Sequence, residues 1–110
     1  MVVKNLYLEF IDFLGNKIVL TNYYYHHIIE SHGSEITKYY DNWVDTLKCP
    51  DYFGRGRTHT DCRIYVQKNN RKRNYAAKYL IVVVNGVNLI TSIRFGAKLN
   101  FIKNLERIRR

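Results

Sequence analysis

The chain has little of what would make it a disulfide scaffold, a membrane protein or a carboxylate-rich metalloenzyme. Only two of its 110 residues are cysteine, Cys49 and Cys62, and neither belongs to a C-x-x-C unit. A disulfide framework and a cysteine-built zinc site are therefore disfavoured, and two reduced thiols are the expectation. A single proline and six glycines disfavour a collagen-like chain. The longest apolar run, Leu80 to Val84, is strand-length and far short of the roughly 18 residues a spanning helix needs. Met1-Val2-Val3-Lys4-Asn5 lacks the basic-then-apolar layout of a signal peptide, so no membrane role and a cytoplasmic location are expected. Acidic residues are also scarce: nine, against 18 lysines and arginines, for a net charge of +9.

What remains is ordinary globular usage. Hydrophobic residues make up 46% and charged residues 25%, which argues for a folded chain, and the length suits one domain over residues 1–110. Alternation from Val2 to Phe13, a Gly15-Asn16 turn and Lys17 to Leu20 predict a β-hairpin. Thr21 and Asn22 are N-cap candidates for a helix carrying Tyr24, Tyr25, Ile28 and Ile29, with Gly33 to end it. Ser34 is the next cap candidate. Ile36, Tyr39, Tyr40, Trp43, Val44 and Leu47 then follow at i, i+3, i+4, i+7, i+8, i+11 and predict a second helix, stopped by Pro50. Residues 51–61, with Gly54 and Gly56 between arginines, read as a loop. Strands are predicted at Arg63–Gln67, Tyr79–Val84 and Leu89–Phe95, the last two joined by the hairpin signal Asn85-Gly86. Phe101, Ile102, Leu105 and Ile108 give the basic tail a helical spacing. The fold class is thus α+β: an N-terminal β-hairpin, two helices, then a three-stranded antiparallel sheet packed on the helices, followed by a basic C-terminal tail. Such a sheet buries one face and leaves the other for a ligand.

The excess positive charge falls in three clusters. They are Arg55, Arg57 and Arg63; Lys68, Arg71, Lys72, Arg73 and Lys78; and Lys103, Arg107, Arg109 and Arg110. Like charges concentrated this way are relieved by a polyanion, and nucleic-acid phosphate is the common one. The ten tyrosines add stacking surface for unpaired bases. A solvated surface kept for solubility is the plainer alternative; the size of the imbalance favours nucleic acid or an acidic partner.

Three of the four histidines, His26, His27 and His32, lie within seven residues on the first predicted helix. His26 and His27 project about 100° apart, and His32 sits at the helix end, where the dipole favours an imidazolium. Their spacing is not the i, i+4 pair of a helical zinc site, and a packed or exposed histidine is the plainer reading of each. RNA cleavage without a metal needs a base for the 2′-hydroxyl, an acid for the leaving 5′-oxygen and cations for the phosphorane. His, Arg, Lys and hydroxyl donors suffice. A two-metal nuclease needs clustered carboxylates, and only Asp41 and Asp45 share a helix face. No cofactor and no metal are called for.

The stretch His27-Ile28-Ile29-Glu30-Ser31-His32, the helix closing Trp43-Val44-Asp45-Thr46-Leu47-Lys48-Cys49-Pro50-Asp51, the strand Tyr79-Leu80-Ile81-Val82-Val83-Val84 and the strand Leu89-Ile90-Thr91-Ser92 resemble the phage-type nuclease domains of the barnase–EndoU–colicin–RelE (BECR) superfamily. The resemblance spans about residues 20–98. Cys49 stands where that pattern has Asn, Ser92-Ile93 stands where it has Ala-Tyr, and His26 is an additional imidazole. The resemblance implies a metal-independent endoribonuclease, of the toxin or effector kind, acting on tRNA or another RNA and leaving a 2′,3′-cyclic phosphate. It maps the catalytic histidines onto His27 and His32, the late-strand hydroxyl onto Thr91, and a basic residue onto Arg57 or Arg63. Strand alternation instead sets Ser92 and Arg94 together on one face, so Thr91 and Ser92 both stay candidates. Arg55, Arg57, Arg63, Lys78 and Arg94 are the candidate phosphate contacts. The other readings are a non-catalytic RNA- or DNA-binding module, and a basic protein that meets an acidic antitoxin or inhibitor.

Overall fold

The computed structural model describes residues 7–69 and 74–108. The basic residues Arg71, Lys72, Arg73, Arg109 and Arg110, and residues 2–6 of the expected first strand, lie outside these.

Strands β1 (Tyr7–Ile11) and β2 (Lys17–Thr21) form the antiparallel hairpin, with Phe10 opposite Ile18 and Leu8 opposite Leu20. Its turn is held by Asp12, whose Oδ1 accepts from the Leu14 and Asn16 amides at 3.0 and 2.7 Å. Gly15 takes φ +86°, which a side chain would resist. Period-two alternation buries Ile18 and Leu20 and turns Lys17 outward. Thr21 Oγ1 then accepts from the Tyr24 amide at 3.4 Å and caps helix α1 (Asn22–His32). Gly33, at φ +80°, ends it and donates to Ile29 O at 2.8 Å.

The second helix is shorter than its apolar spacing predicts. Ser34–Tyr39 winds as a 3₁₀ segment, and only Tyr40–Lys48 is α-helical (α2). Thr37 Oγ1 donates back to Ser34 O at 2.7 Å, a local bond suited to the tighter turn. The buried Trp43 indole donates to Ile36 O at 3.1 Å, so the irregular segment stays tied to the helix that follows. Ile36, Trp43 and Leu47 are all buried, as their spacing requires.

The antiparallel sheet has five strands, not three, in the order β6-β5-β4-β3-β7. The expected members are β4 (Arg63–Lys68), β5 (Tyr79–Val84) and β6 (Ile90–Gly96). Strand β3 (Tyr52–Gly56) replaces the expected loop. Its glycines are there for clearance. A Cβ on Gly54 would stand 2.9 Å from Lys103 O, and one on Gly56 would stand 2.7 Å from His59 O. Strand β7 (Ile102–Arg107) replaces the expected helical tail. The helical spacing of Phe101, Ile102, Leu105 and Ile108 is overridden by backbone pairing with β3, and of the strand's residues only Ile102 is buried.

Alternation along β4 and β5 sends apolar side chains to both faces. Tyr65, Leu80, Val82 and Val84 pack with Ile28, Trp43, Leu47 and the hairpin in the main core. Ile64, Val66 and Ile81 form a smaller cluster on the opposite face with Ile102, joined by Leu99 and Phe101. Because β6 and β7 are opposite edges of the sheet, residues 97–101 between them cross this second face as a strap. No helix among the described residues is long and apolar enough to cross a membrane.

Candidate functional site

Cross-strand register sorts the candidate residues by face. On the face crossed by the strap, Gly54, Ile64, Val83 and Ser92 make one row, and Tyr52, Val66, Ile81 and Arg94 make the next. On the helix-packed face, Arg55 lies opposite Arg63, and Arg63 opposite Val84. Strict alternation would carry Ile90 to the same face as Ser92 and Arg94. A β-bulge at Thr91 intervenes: the pairing shifts between Val83 and Val84, so Ile90 and Ile93 are both fully buried in the main core. Thr91 is the extra residue; its Oγ1 lies 3.4 Å from Val83 O, to which it donates.

Phe101 of the strap and the β3–β4 connection flank an open cavity of about 210 Å³ on this face. Ile64, Val83 and Phe101 give it apolar walls, and Gly56 and Cys62 complete its base. Arg57, Thr58, His59 and Arg94 carry polar groups at its rim. The Arg94 guanidinium carbon lies 4.7 Å from the Phe101 ring centroid. Arg57 fastens the strap: its Nε donates to Asn100 O at 2.7 Å and its amide to Phe101 O at 3.2 Å. The connection itself turns back tightly, with the Cys62 amide donating to His59 O at 3.0 Å. Burial, followed by the Asp61 charge, pushes the Cys62 thiol up from its ordinary value, so it is a protonated wall group rather than a nucleophile.

Arg94 also connects the cavity to α1, which packs against β6. Three influences lower the pKa of His32: partial burial first, then the positive charge of Arg94, then that of His27. The two mapped histidines and Arg94 therefore share one electrostatic neighbourhood at the edge of the sheet. His27 and His32 both reach solvent, His32 being desolvated on one side only, and the His27 ring meets Tyr24 edge-on at 6.4 Å. His26 faces another direction, against Tyr25 at 5.7 Å.

The remaining candidates lie elsewhere. Arg63 is engaged on the helix-packed side, donating from Nε to Tyr65 Oη at 3.2 Å and from Nη2 to Asn88 Oδ1. Arg55 is exposed beside it. Lys78 sits over the Tyr79 ring at 5.6 Å, and that ring meets Tyr52 at 6.3 Å. Tyr52 and Tyr79 line up with the Val66 end of the strapped face, away from Gly56 and Cys62.

One residue escaped the sequence reading. His59 stands alone, 27 positions beyond the α1 cluster by its number, and no spacing signals it. Its neighbour Gly56 was the available hint, since a strand glycine marks a close backbone approach. Among the described residues no three His, Cys, Asp or Glu side chains gather as a metal-ligand set. Comparison of the chain with protein-family models, curated proteins and solved structures gave no match.

Proposed function

We propose that this protein is a metal-independent endoribonuclease whose reacting phosphodiester lies on Arg94, between α1 and the strapped face of the sheet. The observation that carries the reading is that Ser92 and Arg94 share the strapped face beside a cleft lined by Arg57 and Arg94, and the electrostatic influence of Arg94 on His32 across the edge strand supports it.

The chemistry follows from the charges. A base has to be neutral before it accepts a proton, and burial with two cationic neighbours favours neutral His32. His32 takes the proton of a ribose 2′-hydroxyl. The 2′-oxygen forms a bond to phosphorus while the bond from phosphorus to the 5′-oxygen breaks. His27 gives its proton to that leaving oxygen. Arg94 neutralises the charge that builds on the phosphorane. Ser92, on the same face as Arg94, is the hydroxyl donor of the pair Thr91 and Ser92, because the Thr91 hydroxyl is turned to Val83 O. The products are a 2′,3′-cyclic phosphate and a 5′-hydroxyl, with no water consumed in this step.

The net charge of +9 supports RNA as the polyanion, with tRNA as a compact cellular form of it. Membership of the BECR nuclease superfamily and a cytoplasmic site of action belong to the same proposal. An acidic inhibitor protein that covers Arg57 and Arg94 is the partner such an activity calls for.

The test is incubation with total tRNA in EDTA, with product ends read by resistance to, or labelling by, end-specific enzymes. Cleavage to cyclic-phosphate ends, lost in His32→Ala and Arg94→Ala, is the expected result. RNA that stays intact, or is cut only when magnesium is added, overturns the proposal. Salt-sensitive binding without cutting leaves a non-catalytic RNA-binding module.

A further inference from the structure

The cavity beneath the strap is larger and more apolar than a phosphate needs. An anion site presents cations and N–H groups to every oxygen, whereas these walls are Ile64, Val83 and the Phe101 ring. At about 210 Å³ it is smaller than the roughly 300–1,000 Å³ of pockets for drug-sized ligands. What fits an apolar slot of this size with an aromatic wall and a polar rim is one planar heterocycle. Cations at the mouth add that the heterocycle arrives attached to an anion.

We propose that this cavity is a nucleobase subsite that reads the base next to the scissile phosphate. This rests on the endoribonuclease reading for the phosphate's position, and on the cavity alone for base binding. Phe101 supplies the stacking face. Arg94 backs that ring at 4.7 Å and serves both parts of the nucleotide, the ring wall through its plane and the phosphate through its charge. Thr58 and His59, at the rim, meet the polar edge of the base. Arg57 is a positioning residue: through Asn100 O and Phe101 O it holds the strap that carries the stacking ring.

The geometry separates base reading from bond breaking. The imidazoles of α1 lie on the far side of β6 from Thr58 and His59, and Arg94 is their shared neighbour. A nucleotide with its phosphate on Arg94 can drop its base under the strap without displacing either α1 histidine.

The experiment uses the intact protein and the four nucleoside 3′-monophosphates, with ribose 5-phosphate as the baseless probe, followed by NMR. At least one nucleotide is expected to shift the Phe101 ring and His59 signals and to bind about tenfold more tightly than ribose 5-phosphate, as one stacked base provides. Phe101→Leu keeps an apolar side chain over Ile64 and removes the aromatic face; it is expected to bring nucleotide affinity down to that of ribose 5-phosphate. His59→Ala is expected to flatten preference among dinucleotide substrates, read as the ratio of kcat/KM between the best- and the worst-cleaved one. Equal affinity for nucleotides and ribose 5-phosphate, or nucleotide shifts confined to His32 and Arg94, overturns the subsite. Loss of all cleavage in His59→Ala with nucleotide binding unchanged also overturns it, by moving the chemistry into the cavity. If nucleotides bind under the strap and RNA is never cut, the nuclease reading fails and the subsite stands.

Discussion

Tyr65 donates its hydroxyl hydrogen to Asp12 Oδ2 at 2.6 Å, joining the turn of the hairpin to the central strand of the sheet. Both groups are buried, and the bond is one end of a chain that runs through Arg63 to Asn88. The hairpin therefore docks through a polar network as well as through Ile18 and Leu20.

Removal of either partner takes one bond from the other: Asp12 Oδ2 keeps Asn16 Nδ2 at 3.1 Å, and Tyr65 Oη keeps Arg63 Nε at 3.2 Å. Tyr65→Phe is expected to cost about 1.5–3 kcal/mol, the range for a hydrogen bond to a charged group. Asp12→Asn, which keeps a donor and an acceptor, is expected to cost less than Asp12→Ala, which also frees the Leu14 and Asn16 amides. Urea unfolding of the three variants gives the order directly; equal stability of all four proteins would contradict it.

The same network sets a dependence on acid. Burial favours the neutral form of Asp12, but hydrogen bonds from Tyr65, Asn16 and Leu14 outweigh it and hold the carboxyl below its ordinary value. A folded-state pKa below the unfolded one means stability that is complete above the unfolded value, about 3.9, and lost as pH falls through the folded one. Wild type is expected to lose stability more steeply than Asp12→Asn below about pH 4. Parallel slopes in stability-against-pH curves would remove Asp12 from the account.

His32 carries the corresponding prediction for activity. With its pKa lowered, the acidic limb of kcat/KM lies below the ordinary histidine value of about 6.5. Arg94→Gln removes one of the two positive neighbours, so the His32 titration, followed by NMR in the free protein, is expected to move upward. An unchanged midpoint would show that Arg94 does not reach His32 in solution.

The roles of the two α1 histidines separate by leaving group. A ribonucleoside 3′-aryl phosphate releases a stabilised phenolate and needs no acid. His27→Ala is expected to retain most activity on it while losing about 10²–10⁴-fold on RNA. His32→Ala is expected to lose activity on both. Equal losses for both variants on both substrates would refute the assignment.

Gly54 tests the clearance argument in β3. A Cβ there meets the Ile102 side chain and comes within 2.9 Å of Lys103 O, so Gly54→Ala must displace β7. A loss of about 1–3 kcal/mol is expected, the range for overpacking. Gly15→Ala has open space but keeps the positive φ, so its cost is one of backbone strain alone.

Local patterns in the chain were enough for the elements that bury one stripe. Ile18 and Leu20 alternate, Ile36, Trp43 and Leu47 recur at helical spacing, and Thr21 and Gly33 bracket α1; each is a signal carried by neighbours a few residues apart. The sheet's width was not legible. β3 hides its strand character behind two glycines that make room for β7 and the His59 turn, and β7 shows only Ile102 to the core. The bulge at Thr91 was equally silent, because one inserted residue reverses a face without altering composition.

The amino-acid sequence by itself determined the α+β class, the hairpin, the two helical segments, three of the sheet strands and the charge imbalance. It also offered His27, His32, Thr91, Ser92 and five basic residues as site candidates without choosing among them. Only the tertiary structure decided that Arg63 belongs to a structural network, that Ile90 leaves the face it would share with Ser92 and Arg94, and that His59 joins Arg57 and Arg94 around one cavity. The reason is physical: periodicity reports which side of an element is buried, but a cleft is made by strand register, edge order and the path of a connecting strap, and those are set by pairings between residues far apart in the chain.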